Sequence, residues 1–77
     1  MANTNLMRYK IGAHVLVKRV EDSQLIEVEI LRKSNVAVKV RVISEGYFRV
    51  GDERWLNTYD GFKDTWYVMT SIRGSDD

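Results

Sequence analysis

The chain has 77 residues, 12 Lys and Arg against 11 Asp and Glu, a formal net charge of +1, one histidine, five glycines and neither cysteine nor proline. That length holds one domain, too small for a doubly wound or barrel enzyme; a disulfide framework and a thiolate metal site are excluded, and the near-balance of charge speaks against a strongly electrostatic nucleic-acid binder. At 44% hydrophobic and 30% charged residues the composition is that of a folded chain. No apolar run approaches the ~20 residues that span a bilayer, and Met1 to Lys10 lacks a signal-peptide core, so a soluble cytoplasmic domain without a membrane partner is expected.

A domain this small buries only ~60% of the surface its unfolded chain exposes. Small chains offset that with disulfides, metals or partner subunits, and with the first absent a homo-oligomer gains weight. Residues 1–8 are expected to be a fraying lead-in, residues 9–73 the domain and residues 74–77 an acidic tail. The tail masks a charge excess: residues 1–74 carry 12 cations against 9 anions, or +3.

Periodicity in the body is two. Ala13 to Val20 is valine-rich without a helical stripe. Gln24 to Arg32 places Ile26, Val28 and Ile30 on one face and Glu27 and Glu29 on the other. Val36 to Val42 sets Val36, Val38, Val40 and Val42 against Ala37, Lys39 and Arg41. Each is a strand with one buried face. Turn residues separate the runs at Glu21-Asp22-Ser23, Lys33-Ser34-Asn35, Ser44-Glu45-Gly46 and Gly51-Asp52. A three-residue loop at Lys33-Ser34-Asn35, with Asn35 left-handed, would set Ile30 against Val38 and Val28 against Val40. It would also pair Glu29 with Lys39 and Glu27 with Arg41 on the solvent side. Further strands are expected at Tyr47–Val50, Arg54–Leu56 and Thr65–Ile72, with a loop at Asn57–Asp64. The fold class is all-β: a small five-stranded antiparallel barrel whose last strand pairs with its first.

The opening Ile11-Gly12-Ala13-His14-Val15-Leu16-Val17, the long hairpin, Arg54-Trp55-Leu56 and the closing Trp66-Tyr67-Val68-Met69-Thr70-Ser71-Ile72 together resemble the small SH3-like or Tudor-like barrels found as stand-alone proteins in phages and bacteria. The resemblance covers about residues 9–73. It implies an SH3-like barrel of five strands with aromatic residues near strand ends lining a ligand groove. It also implies a phage-encoded factor acting on a host protein in the host cytoplasm. The Asn57–Asp64 loop is longer than the turn usual before the last strand of such barrels.

Chemistry is sparse. His14 is the lone histidine, so any catalytic triad would depend on it, and it reads as a partly exposed strand residue. The glycines never take Gly-x-Gly spacing, so there is no phosphate loop. Glu27 and Glu29, and Asp60 and Asp64 around Gly61-Phe62-Lys63, lack the alternating oxygen ligands of a calcium loop. Catalytic residues, metal ligands and cofactors are all expected to be none.

Two binding surfaces remain. Seven of the eight aromatics fall between Tyr47 and Tyr67, too many for a small core, and exposed Trp and Tyr are interface anchors. The leading expectation is therefore a non-enzymatic protein-interaction module, with Tyr47, Trp55, Tyr59, Phe62 and Trp66 as anchors and Arg49 and Arg54 as rim charges. Tyr59 and Phe62 beside Asp60 and Asp64 also hold the ingredients of a methyl-lysine cage, with no spacing that makes them converge. The alternative is nucleic-acid binding through Arg32, Lys33, Lys39 and Arg41, in a stretch from Ile30 to Ile43 without an acid, together with the same aromatics. A third reading is a homo-oligomer enclosing a small anionic nucleotide.

Overall fold

The computed structural model describes residues 4–59 and 63–73. Its strands are β1 (Thr4–Asn5), β2 (His14–Arg19), β3 (Leu25–Lys33), β4 (Ala37–Val42), β5 (Glu53–Asn57) and β6 (Trp66–Arg73), with one turn of 3₁₀ helix at Leu6–Arg8. They form one antiparallel sheet in the order β1-β6-β2-β3-β4-β5. The last strand returns to the first long one, as the sequence leads one to expect. The ladder does not close: β5 is one edge and β1 the other. The two ends approach through a single parallel bridge, Asn57 to Thr65, and an Asn5 side-chain hydrogen bond to the Thr58 carbonyl at 3.2 Å.

Alternation does the sorting. Val15 and Val17 of β2, Ile26, Val28 and Ile30 of β3, and Val38, Val40 and Val42 of β4 are all buried, while Glu27, Glu29, Lys39 and Arg41 lie on the other face. The core also takes in Leu6 and Tyr9, brought over it by the 3₁₀ turn, with Leu56, Trp66 and Val68. Leu6 is fully buried although it precedes the domain start expected from the sequence.

The β3–β4 hairpin departs from its expected register. Ser34 N–H donates to the Ala37 carbonyl at 2.8 Å, and Ala37 N–H donates to Ser34 Oγ at 3.1 Å. The turn therefore closes around Asn35 and Val36, one residue later than expected. Asn35 is not left-handed; among the described non-glycine residues only Ser23 is, at φ 61°. An irregularity at Leu31 then shifts the ladder, so that Ile30 pairs with Val40, Val28 with Val42 and Glu29 with Arg41. Relative to the expected pairing the slip is two residues, which keeps Val38, Val40 and Val42 inside and changes every cross-strand partner. Val36, expected on the core face, is an exposed turn residue. Tyr47 to Val50 is not a strand but part of the loop between β4 and β5.

Candidate functional site

The expected aromatic anchors divide into three groups. Trp66 is 3% exposed and belongs to the core, which removes it from any surface; as the first residue of β6 it faces inward with Val68. Phe48 packs against that core, 6.1 Å from Trp66 and 4.8 Å from Tyr47 between ring centroids. Tyr47 is half exposed, but its ring carries the Arg19 guanidinium 4.3 Å from its centroid, and Trp66 lies 5.5 Å from the same group. Asp22 fixes this arginine by two hydrogen bonds of 2.6 and 3.0 Å. These bonds, then the Tyr47 hydroxyl, hold Arg19 firmly in its charged form, and they draw the Asp22 carboxyl below the ordinary carboxylate range. The rings that converge are thus Tyr47, Phe48 and Trp66, and the chain's own Arg19 fills the space. Arg54 lies 4.4 Å over the Phe48 ring and 3.4 Å from Asp52, so it caps this cluster; Arg49 is exposed in the same loop. Phe62, with Asp60, lies outside the described residues.

Trp55 differs from all of these. It is 50% exposed, on the outer face of an edge strand, with no ring or cation stacked on it among the described residues. Its backbone is as open as its side chain. The β4–β5 ladder runs without a shift, and at its two ends Thr58 N–H donates to Val36 and Val42 N–H to the Asp52 carbonyl. Antiparallel pairing alternates, so residues 52, 54, 56 and 58 turn their peptide groups toward β4. Glu53, Trp55 and Asn57 turn theirs away. Asn57 meets Thr65; Glu53 and Trp55 meet no strand among the described residues.

The expected basic face is mostly neutralised. Arg41 lies between Glu29 at 3.2 Å and Glu53 at 3.4 Å, and Lys39 lies 3.4 Å from Glu53. His14 Nε2 extends this row 3.9 Å from Glu29. Arg32 and Lys33 do not join it. The irregularity at Leu31 puts Arg32 on the outer face opposite Lys39 and turns Lys33 to the inner side opposite Val38. The Lys33 ammonium reaches the Met7 carbonyl at 3.0 Å.

A concavity of about 390 Å³ lies at that end of the sheet, lined by Asn5, Met7, Asn35, Val36, Thr58 and Tyr59. Tyr59 and Val36 are exposed. Of these, sequence reasoning found only Tyr59. It missed Arg8 and Lys10, although the signal was present: the chain has no acid before Glu21. Among the described residues no group of three or more His, Cys, Asp or Glu side chains is placed to hold a metal, and no helix is long and apolar enough to cross a membrane. Comparison with protein-family models, curated proteins and solved structures gave no match.

Proposed function

We propose that the chain is a non-enzymatic protein-interaction module that takes an extended segment of a partner along β5, with Trp55 as its anchor. The observation that carries this reading is the open edge, where among the described residues the peptide groups of Glu53 and Trp55 meet no strand and the half-exposed indole meets no stacked ring or cation. Strand addition draws affinity from main-chain hydrogen bonds and specificity from alternate side chains. A tryptophan supplies a large apolar contact at little entropic cost. Natural sheet edges are often blunted by bulges or prolines; β5 has neither, its ladder is regular, and its one inner-face charge, Arg54, is stacked on Phe48.

The fold reading that goes with this is a small SH3-like barrel. Its supports are the meander β2-β3-β4-β5, the return of β6 onto β2, and the two contacts, Asn57 to Thr65 and Asn5 to Thr58, that draw the ends of the sheet together. Tyr47 and Trp66 have a different role, since Arg19 and the core already occupy them.

Panning a displayed library of random peptides against the protein, then mapping a selected peptide by amide chemical shifts, tests the proposal. The account expects the largest shifts at Glu53, Trp55 and Asn57, and loss of binding in Trp55→Ala with the fold intact. No selectable peptide, or shifts centred away from β5, would overturn it.

A further inference from the structure

Of the cations with no carboxylate partner among the described residues, Lys18, Arg49 and Lys63 lie apart, and the other four sit on two segments that are tied together. Arg19, Lys39, Arg41 and Arg54 each have a carboxylate partner. Arg8, Lys10 and Arg32 are exposed with no carboxylate within salt-bridge distance among the described residues, and the Lys33 ammonium is held only by a carbonyl. The two segments that carry these four are neighbours because the run before β2 is tied to the end of β3. Gly12 N–H donates to the Ile30 carbonyl at 2.8 Å, Ile30 N–H to the Ala13 carbonyl at 2.9 Å, and Lys33 reaches Met7. Neither segment, 5–13 or 30–37, contains an acid.

The concavity at Met7, Val36 and Tyr59 adjoins this corner. Its three walls are braced: Thr58 donates to the Val36 carbonyl from both N–H and Oγ1, at 2.9 and 3.0 Å, and Asn5 Nδ2 donates to the Thr58 carbonyl. Thr65 Oγ1 fixes the Tyr59 carbonyl at 2.6 Å. Asp64, on the Tyr59 side, is turned onto the Asn57 amide at 3.2 Å. The result is a preformed recess with an exposed phenol ring, two apolar side chains and the Asn35 amide, with the Lys33 ammonium held beside it on the Met7 carbonyl.

We propose that this recess binds a nucleoside phosphate, either free or as one unit of a single strand. The base lies against Tyr59 between Met7 and Val36, the Asn35 amide meets its edge, and Lys33 and Arg8, on either side of Met7, take the phosphate. Aromatic stacking with adjacent cations is the general chemistry of single-strand binding, and a cavity of this size falls in the range of small-ligand sites. The site is separate from the β5 edge in both residues and chemistry. It also differs from the sheet face expected from the sequence, because Lys39 and Arg41 take no part.

Fluorescence anisotropy decides the matter, with labelled oligothymidylate, a labelled duplex and labelled adenosine monophosphate as probes and unlabelled inorganic phosphate as competitor. Two phosphate contacts to a single strand give a roughly sevenfold loss of affinity between about 50 and 200 mM salt. Arg8→Ala or Lys33→Ala should weaken oligothymidylate binding about fivefold and flatten the salt slope by about 0.7. Tyr59→Ala should weaken it at least about fivefold, and Arg41→Ala should change it less than about twofold. Binding of the mononucleotide as tightly as the oligomer identifies the free nucleotide as ligand; binding of the oligomer alone identifies the strand. The proposal fails if no probe binds at low salt, if duplex binds as well as single strand, if inorganic phosphate competes as well as the nucleotide, or if Arg41→Ala matters as much as Lys33→Ala.

Discussion

At the scale of single residues, the two tryptophans of the chain do opposite work. Trp66 fills the core at the start of β6, and Trp55 stands in solvent on β5. Trp66→Ala should cost about 3–5 kcal/mol by leaving a cavity, whereas Trp55→Ala should stay within about 0.5 kcal/mol. Chemical denaturation of both variants checks the pair. Arg19 and Asp22 make a second residue-scale claim. Because the Arg19 hydrogen bonds hold the Asp22 carboxyl below its ordinary value, the stability they lend is present above the unfolded carboxylate pKa of about 3.9. It is lost as pH falls through the lower folded value. Carboxyl NMR titration should find Asp22 below the exposed carboxylates of the chain, and Arg19→Ala should return it to their range.

At the scale of elements, the strand pattern was plain in the sequence because alternation of valines with charges leaves one arrangement that keeps water out of the core. The register was not. The Ser34 hydroxyl captures Ala37 N–H, and the irregularity at Leu31 carries no glycine to announce it, so the charge partners moved while the buried face stayed. Trp66 was misassigned for a related reason: Trp66-Tyr67 must send one ring to each side, and sequence alone does not say which. The direction of peptide groups along β5 yields its own test. Glu53→Pro removes an N–H that bonds nothing among the described strands and should leave stability nearly unchanged while abolishing peptide binding. Arg54→Pro removes a ladder bond to β4 and should cost about 1 kcal/mol or more. Thermal melts of the two variants separate these outcomes.

At the scale of the whole molecule, six strands and one 3₁₀ turn enclose a core within 28 × 26 × 24 Å. The overall charge balance hides a division of labour. Ion pairs across β3, β4 and β5 quiet the outer face, and Arg8, Lys10, Arg32 and Lys33 lie on the two segments that meet where residues 7–13 join the end of β3. The sequence showed the surplus between Ile30 and Ile43, but not that Arg8 and Lys10 join it. That junction depends on hydrogen bonds from Gly12 and Lys33 across more than fifteen residues of chain. The aromatic surplus divides as well, with Tyr47, Phe48 and Trp66 drawn into the core and the Arg19 cluster, and Trp55 and Tyr59 left exposed.

Amide hydrogen exchange along β5, with and without a selected peptide, tests that edge most directly. The account predicts that Arg54 and Leu56 are protected throughout, while Glu53 and Trp55 exchange quickly in the free protein and become protected when the peptide is bound. Protection of Glu53 and Trp55 in the free protein, or none gained with peptide bound, would contradict it.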